Sequence, residues 1–340
     1  MTREKAVTAE ADETWSIVEG SVRKLFDDRA SALDDTERDF VRIGPYLDEL
    51  GWSDIAAEYP VDAWRLLLTT QARTLAQTEI LGSVLLAELA EIVPHDPRAV
   101  VVLPPVVAGT ATGSTPESVR GLVLGDLPGS GPVAVPLTAA DGEVGVAVVD
   151  AGELVGRRLP TFDPTVRWTE VTGAVGGQIV PAGAQWRRAV SAAHRALATE
   201  LVALAQEELR IAVEHATART QFGSRITSFQ VIRHDLADCY VRIEGARALL
   251  DESWRYGGRM SGLAAKISAG RTHRHVANVT TQVCGAIGVT AEFGLHRYVR
   301  RGLQLDGLFG SSAQLTSAMR SRLFDGVDPP TPALPSVIAG

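Results

Sequence analysis

Residues 218–239 read ARTQFGSRITSFQVIRHDLADC, and this stretch separates two long helical patterns. Apolar residues recur at intervals of three and four from Trp186 to Thr217, and again from Phe229 onward. The stretch carries arginines, a glycine and two glutamines, which are more functional groups than a turn between helices requires. The stretch therefore predicts a helical bundle whose connecting turn has a function of its own.

The rest of the chain predicts an α+β fold in three parts. Two more helical patterns follow the quoted stretch, one from Leu263 to Cys284 and one after Ser312. Upstream, WSIVEGSVRKLF, ERDFVRIGPYLDELGW and DAWRLLLTTQARTLAQTEILGSVLLAELAEI each predict a helix, whereas short β-branched runs separated by Gly, Pro and Asp-Gly begin near residue 98. We predict an N-terminal helical domain over 1–97, a small middle β-domain over 98–183 and a C-terminal four-helix bundle over 184–340.

Composition narrows the class of protein. The 340 residues are 45% hydrophobic and carry a net charge of -8, which argues against a general affinity for nucleic acid. The amino terminus lacks a secretory pattern, and the most apolar helical segment is interrupted by Glu88 and Glu91, so we expect a cytoplasmic protein without a membrane partner. His273 and His275 are two residues apart and project from different helix faces, so we interpret them as solvated and predict no metal.

Arg219 and Arg225 flank the start of the second bundle helix. Exposed N–H groups and the helix dipole favour an anion there, and arginine is suited to phosphate, so a phosphate site is one interpretation. A structural interpretation is also open, because Thr227 and Gln230 have the spacing of a capping box and arginines on a turn are often merely solvated.

A second unusual stretch, QVCGAIGVTAEFGLHRYVRR, covers residues 282–301. Gly285 and Gly288 either cap the third helix or allow a ligand to approach the backbone closely. A dinucleotide fingerprint of the Rossmann type is excluded, because no strand precedes these glycines.

Together the two stretches resemble the acyl-CoA dehydrogenase family, whose motifs have the forms R-x-x-F-G-x-x-[IL]-x-x-[FHY]-Q and Q-x-x-G-G-x-G-[YF]-x-x-E. The family's order of helices, β-domain and helical bundle is the order predicted above. The resemblance implies contacts to the pyrophosphate and adenosine half of an FAD whose flavin ring lies mainly in the neighbouring subunit. At position 286 this sequence has alanine where the family's motif has its second glycine. The implied contact residues are Arg219, Gln221, Phe222, Gln230, Gln282, Gly285 and Ala286.

The family's catalytic glutamate is missing. Its usual segment, R-D-x6-Y-E-G-T, aligns with RRGLQLDGLFGSS and places Phe309 at the glutamate, while the alternative position on the first bundle helix falls on Ala193. Asp306 and Glu200 are the nearest acids that could replace it, although we interpret each as a solvated charge. The T-E-P-x-x-G-S and W-x-[TS] segments that wrap the flavin ring in the family are also absent from the sequence.

This combination resembles the shorter, base-lacking subunit of actinobacterial heteromeric steroid-CoA dehydrogenases. The resemblance implies an α2β2 complex with a longer homologue, an FAD shared at the interface, an acyl-CoA from cholesterol side-chain β-oxidation, and electron-transfer flavoprotein as acceptor. Ser311 and Ser312 are further flavin-contact candidates, although Ser312 is equally well explained as a helix cap. Two alternatives stay open: a self-sufficient homo-oligomeric flavoenzyme that uses a displaced acid, and a non-enzymatic subunit that binds CoA thioesters.

Overall fold

The computed structural model describes residues 2–31, 41–106, 112–163 and 165–325. Residues 37–40 of the second predicted helix and 326–340 of the predicted bundle domain lie outside the described residues. Helices occupy the first part of the chain, two sheets the middle, and helices the last part. Within the described ranges, no helix combines the length and apolar character needed to span a membrane.

The N-terminal region has more and shorter helices than the sequence predicts. A single helix over residues 62–92 is wrong, because Leu75 adopts a left-handed conformation with φ 56° and ends the helix there. The helix predicted for 37–52 begins only at Gly44, with Pro45 in its first turn, and ends before Gly51. The five helices are α1 (Thr2–Ser31), α2 (Gly44–Glu49), α3 (Trp52–Glu58), α4 (Pro60–Thr74) and α5 (Ile80–Glu88).

The middle region contains two small sheets. The first has the order β1-β3-β4-β7 and the second the order β2-β6-β5, with antiparallel pairing except between β1 and β3. Valine-rich faces of both sheets form a separate apolar cluster, as β-branched runs predict. The strands are β1 (Val100–Val101), β2 (Val119–Leu124), β3 (Pro132–Thr138), β4 (Val144–Asp150), β5 (Val155–Arg158), β6 (Trp168–Gly173) and β7 (Ile179–Pro181).

The C-terminal region is a bundle around one central helix. This helix, α6 (Gly183–Ala218), packs against α4 and α5 of the N-terminal region and against three later helices, α7, α8 and α9. Three helices are long, the helix predicted after Ser312 is the short α10, and α9 before it is an additional short helix that the sequence does not predict. The bounds are α6 (Gly183–Ala218), α7 (Gln230–Tyr256), α8 (Arg259–Cys284), α9 (Leu295–Asp306) and α10 (Ser312–Arg320), with the two-residue strands β8 (Thr220–Gln221) and β9 (Ser224–Arg225) between α6 and α7.

Helices α8 and α9 approach each other closely at Gly302. A Cβ atom at this glycine would lie 2.0 Å from the imidazole of His273, so only glycine fits. His273 is buried, and its Nε2 lies 2.9 Å from a carboxylate oxygen of Glu208 on α6. The prediction of a solvated His273 is therefore wrong: the helix face that carries it turns towards the core.

Arg301 connects all three regions of the chain. Its buried guanidinium donates to the Asp163 carboxylate of the middle region at 2.9 Å. It also donates to the carbonyls of Ala76 and Leu75, at 3.0 and 3.1 Å, where the N-terminal helices break. These contacts explain the break after α4, because the left-handed turn presents two carbonyls to a buried cation.

Candidate functional site

The turn between α6 and α7 is a small β-hairpin on the protein surface. β8 pairs with β9 around Phe222 and Gly223, whose φ angles of 56° and 79° are both positive, as a tight hairpin turn requires. Phe222 is 91% exposed, and its ring meets that of Phe229 edge-on at 6.2 Å. The predicted capping box is wrong, because α7 begins at Gln230 without a side-chain cap.

The hairpin arginines differ from most other arginines of the bundle. Within the described residues, the side chains of Arg219 and Arg225 have no hydrogen bond or ion pair and are exposed. Three arginines elsewhere on the bundle surface pair with acids three or four residues away: Arg210 with Glu207 and Glu214, Arg242 with Asp238, and Arg247 with Glu244. The hairpin therefore presents uncompensated positive charge.

The second unusual stretch lies at the same end of the bundle as the hairpin. α8 ends at Cys284, and Gly285 caps it with φ 65°, which confirms the cap interpretation. Ile226, next to the hairpin, belongs to the same apolar cluster as Val283 and Leu295. Seven predicted FAD-contact residues are thus exposed at one end of the bundle: Arg219, Gln221, Phe222, Gln230, Gln282, Gly285 and Ala286.

The loop at residues 306–312 carries the residue at the family's base position, and that residue faces the core. Phe309 is 1% exposed and packs against the Trp186 ring, with 6.3 Å between ring centroids. Its backbone is left-handed, with φ 54°. A residue held in this rare conformation needs support from its surroundings.

Two buried side chains supply that support to the 306–312 loop. The Lys266 ammonium donates to the carbonyls of Asp306 and Gly310, both at 2.9 Å. Burial lowers the pKa of Lys266 to about 8, although the neighbouring Asp306 opposes this shift. His194 Nε2 lies 3.1 Å from the Phe309 carbonyl and must donate to it; burial and then the Lys266 charge lower the pKa of His194 to about 3, so the ring is neutral.

Asp306 is buried rather than solvated, which corrects the prediction. Its carboxylate accepts hydrogen bonds from the Ser312 N–H at 3.1 Å, the Ser312 hydroxyl at 3.2 Å and Arg274 at 3.2 Å. A Cβ atom on Gly270 would lie 2.2 Å from the same carboxylate. With its oxygens engaged in this way, Asp306 organises the loop and is poorly suited to remove a proton from a substrate.

Ser311, and not Ser312, caps the helix that follows. The Ser311 hydroxyl accepts from the Gln314 N–H, and the Gln314 side chain accepts from the Ser311 N–H, which together form a capping box. The prediction of a cap at Ser312 is therefore off by one residue. The flavin contact predicted for Ser311 stays a prediction.

Ala193 and Glu200 occupy the same face of α6, two turns apart. Ala193, the second predicted base position, is completely buried in the core. Glu200 is 2% exposed, so the expectation of a solvated charge is wrong here too. It lines a cavity of about 30 Å³ at the junction of the three regions, together with Gln71, Trp168 and Arg301.

Comparison with known proteins agrees with this geometry. Residues 186–324 match the family model described as acyl-CoA dehydrogenase, C-terminal domain. This match identifies residues 186–324 as an acyl-CoA dehydrogenase C-terminal domain. Acyl-CoA dehydrogenase IpdE2 of Mycobacterium tuberculosis is 30% identical over 129 residues, which cover 38% of this chain and 41% of that protein. For IpdE2 of Mycolicibacterium smegmatis the identity is 29% over 57% of this chain and 58% of the relative, so the chain spans about half the length of these relatives.

Solved structures show that the acyl-CoA dehydrogenase fold extends beyond the matched domain. A variant of the Tcur3481-Tcur3483 steroid ACAD aligns over 93% of this chain and 99% of its own, with a TM-score of 0.75 and 24% identity. The ChsE4-ChsE5 complex from Mycobacterium tuberculosis aligns over 92% of this chain and 98% of its own, with a TM-score of 0.69 and 20% identity. The predicted order of helical, β and helical regions is confirmed.

Three buried residues with structural roles, Lys266, His194 and Arg301, are not predicted from the sequence. One signal was available for Lys266, because lysine occurs only three times in the chain and position 266 lies within an apolar helical pattern. A lysine there must either reach the surface or find acceptors inside the protein. His194 and Arg301 gave no such signal, since their partners are distant in sequence.

We expect the Glu200→Gln variant to change how stability depends on pH. Burial raises the pKa of Glu200 from 4.5 to about 7, against the opposing effects of Gln71 and then Arg301. Between these pH values the native state holds a proton that the unfolded chain releases, so the free energy of unfolding falls as pH rises. The variant should match the wild type near pH 4 and exceed it by about 3 kcal/mol above pH 8.

Urea unfolding at several pH values measures this difference. Glu214→Gln is the matched control, because Glu214 lies on the same helix but its side chain is exposed. Parallel pH dependences for the wild type and Glu200→Gln would show that Glu200 does not titrate in this range in the folded protein.

Proposed function

We propose that this chain is the base-lacking subunit of a heteromeric, FAD-dependent acyl-CoA dehydrogenase. In this proposal it forms an α2β2 complex with a longer homologue and contributes contacts to the FAD at the shared interface. The homologue supplies the carboxylate that removes the α-proton of the acyl-CoA thioester. An FAD held at this interface would supply the acceptor for the β-hydrogen, which leaves as a hydride, and electron-transfer flavoprotein would be its electron acceptor in turn.

The burial of both base positions is the observation that carries this proposal. Phe309 is enclosed against Trp186, and Ala193 lies in the core. A general base must reach the proton that it removes, within hydrogen-bond distance or through one water. Neither side chain can ionise and both are buried, which supports the assignment of the proton-transfer step to another chain.

The exposed end of the bundle supports the cofactor-binding part of the proposal. Arg219 offers a fork of donors that suits a pyrophosphate, and Gln221, Gln230 and Gln282 offer amides that can bond to phosphate, ribose and base. Among the described residues none of these four side chains has a hydrogen-bond partner. Exposed, unpartnered donors of this kind fit the adenosine and pyrophosphate half of FAD.

The names of similar proteins support the choice of substrate and assembly. The Tcur3481-Tcur3483 protein is a steroid ACAD named for two chains, and ChsE4-ChsE5 is a complex of two chains. We accordingly propose a steroid side-chain CoA thioester as the substrate. The engagement of Asp306 by Ser312 and Arg274 disfavours the self-sufficient enzyme that would use this acid as its base.

Replacing Arg219 by alanine should release FAD from the complex without dissociating the two chains. A hydrogen bond to a charged group contributes about 1.5–3 kcal/mol, so the Kd for FAD should rise roughly tenfold or more. The experiment is to co-express this chain with the longest homologue that a neighbouring gene encodes. The visible absorption spectrum and the mass of the purified complex are then measured. The unmodified pair should be yellow with one FAD for every two chains, and the chain purified alone should be colourless.

Arg247→Ala is the matched control for this experiment. Arg247 is an exposed arginine on α7 that pairs with Glu244, away from the hairpin. Its replacement should leave the FAD content unchanged. Stoichiometric FAD and acyl-CoA oxidation by the chain alone would overturn the proposal and direct attention to Glu200.

A further inference from the structure

Helices α6 and α8 begin side by side, at the end of the bundle opposite the hairpin. A Cβ atom on Gly262, near the start of α8, would lie 2.9 Å from the carbonyl oxygen of Ser191, near the start of α6. Further along both helices, His273 of α8 meets Glu208 of α6. The two helices therefore run in the same direction, and their first turns lie together.

Helix α10 runs in the opposite direction, back towards the start of α8. A Cβ atom on Gly270 of α8 would lie 2.9 Å from the Cβ atom of Ser312, the first residue of α10. One turn later, Leu315 of α10 packs in a cluster with Leu263 of α8. The end of α10 and the single π-helical turn that follows it, Ser321–Asp325, therefore lie near the start of α8.

Three exposed arginines come together at this end of the bundle. Arg187 precedes Ser191 by one turn, Arg259 is the first residue of α8, and Arg322 lies in the π-helical turn. Partial burial, and then the charges of Arg322 and Arg187, lower the pKa of Arg259, which agrees with like charges placed close together. We call these three residues the arginine cluster.

The arginine cluster has no acidic partner within the part of the chain that the structure describes. None of its three side chains takes part in a hydrogen bond or an ion pair there. Glu143 lies close to the start of α6, but it forms no ion pair with Arg187. The first turns of α6 and α8 contain no acidic residue either. The cluster is thus a concentration of positive charge in a chain whose net charge is -8.

Apolar side chains accompany the arginine cluster. The chain has three methionines, and two of them, Met260 and Met319, are half-buried against the same small apolar cluster of α8 and α10. Phe324 follows Arg322 by two residues and is 79% exposed. Arginine, methionine and aromatic residues are enriched in protein interfaces relative to the rest of the surface, and methionine adapts to varied partners. A phosphate ion would need only the cations, so this composition favours a protein partner.

We propose that the arginine cluster binds an acidic segment of a partner protein, whose apolar side chains pack on Met260, Met319 and Phe324. Each guanidinium can donate two parallel hydrogen bonds to a carboxylate, and bound carboxylates offset the repulsion among the three cations. The net charge of -8 disfavours a nucleic acid or an anionic membrane, because either repels the chain as a whole. The inference does not depend on the proposed function, since the hairpin lies at the other end of the bundle.

Fluorescence anisotropy of a labelled peptide of Glu-Glu-Leu repeats, titrated with the purified full-length chain, tests the inference. We expect saturable binding that weakens by roughly tenfold or more in Arg259→Glu, and each factor of ten corresponds to about 1.4 kcal/mol. The variant should keep its fold, because a glutamate in the first turn of a helix interacts favourably with the helix dipole. Circular dichroism checks this expectation.

Arg271→Glu is the matched control for Arg259→Glu. Arg271 is an exposed arginine on the same helix, about 18 Å farther along the axis at about 1.5 Å per residue. Both variants change the net charge equally, so only the position of the charge differs. Peptide binding by the control should change less than about twofold, because a charge at that distance is screened at physiological salt. Equal weakening by the two variants, or no saturable binding by the wild type, would overturn the inference.

A second pair of variants tests the apolar part of the surface. Phe324→Ala should weaken binding of the Glu-Glu-Leu peptide and leave binding of a Glu-Glu-Ser peptide unchanged, because serine has no apolar side chain to pack on the ring. Phe162→Ala is the control, since Phe162 is also an exposed phenylalanine, at 64%, but lies in the middle region. Equal effects of Phe324→Ala on the two peptides would contradict the apolar contact.

Competing anions distinguish a protein partner from other ligands. Sodium phosphate and sodium chloride at equal ionic strength should displace the peptide to the same extent, because both act by screening. Displacement by phosphate at a far lower concentration would assign the arginine cluster to a small anion and overturn the inference. Tighter binding to phosphatidylserine vesicles than to the peptide would overturn it in favour of a membrane surface.

Co-expression with the longer homologue identifies the source of the acidic segment. If the unmodified pair binds the peptide as tightly as the chain alone, the segment belongs to a further protein. If the pair cannot bind it and Arg259→Glu separates the two chains, the segment belongs to the homologue. The proposed function is tested separately, because Arg219→Ala should lower the FAD content of the pair and leave peptide binding by the isolated chain unchanged.

Discussion

Arg301→Ala should lower the free energy of unfolding by about 3–5 kcal/mol, the loss typical of breaking a buried ion pair. The Asp163 carboxylate would remain buried without its cation, which is costlier than losing both partners together. The carbonyls of Leu75 and Ala76 would lose their donors as well. Because these groups belong to different regions of the chain, we also expect the N-terminal helices to loosen from the bundle.

The neighbouring Arg300 provides a matched control for this prediction. It precedes Arg301 on the same helix, is only half-buried and has no ion-pair partner among the described residues. Arg300→Ala should therefore change stability by less than about 0.5 kcal/mol. Urea denaturation followed by far-UV circular dichroism measures both variants, and similar midpoints for the two would mean that Arg301 does not hold the regions together.

Phe309→Ala should cost about 3–5 kcal/mol, the usual effect of removing a buried aromatic side chain. The ring fills space beside Trp186, and its removal leaves a cavity next to the 306–312 loop. Alanine at a left-handed φ offers no relief of backbone strain, so the loss of packing dominates. Denaturation of the isolated chain measures this loss directly.

Phe222 is an unusually close control for Phe309. Both are phenylalanines with φ near 55°, yet Phe222 is 91% exposed whereas Phe309 is buried. Phe222→Ala should leave the stability of the isolated chain within about 0.5 kcal/mol of the wild type. If the proposed FAD contact is correct, the same variant should weaken FAD binding by the complex. Equal losses of stability in the two variants would contradict the packing role given to Phe309.

The order of helices and strands could be predicted because each type has its own period in the sequence. Apolar spacing of three and four indicated α6, α7 and α8 to within a few residues at most ends. Short valine-rich runs between Gly and Pro indicated the sheets. These signals are local, so they do not depend on how the regions pack together.

Features created by distant contacts could not be predicted in this way. Leu75 lies within an unbroken helical pattern, and the helix ends there at a turn whose carbonyls contact Arg301, a residue distant in sequence. Glu200 and Asp306 were interpreted as solvated because acids usually are, but both face the interior of the bundle. Their partners are Gln71, Arg274 and other residues whose proximity appears only in three dimensions.

The candidate site was predictable where it depends on motifs and unpredictable where it depends on packing. The family resemblance identified Arg219, Gln282 and the other proposed FAD contacts, and these residues share one end of the bundle. It also aligns Phe309 with the family's glutamate, and this alignment stays a prediction. It gave no indication that Lys266 and His194 hold the surrounding backbone, because a motif records residue types and not hydrogen-bond partners.

The support of the 306–312 loop has a consequence for the evolution of this chain. A glutamate introduced at position 309 would place an unpaired carboxylate in the space now packed against Trp186, at a cost of several kcal/mol. A carboxylate base at this position would therefore require that the core beside the loop be remodelled as well. Under the proposed function, a single codon change is a disfavoured route to an independent enzyme, and selection would act on this chain and the proposed partner as one unit.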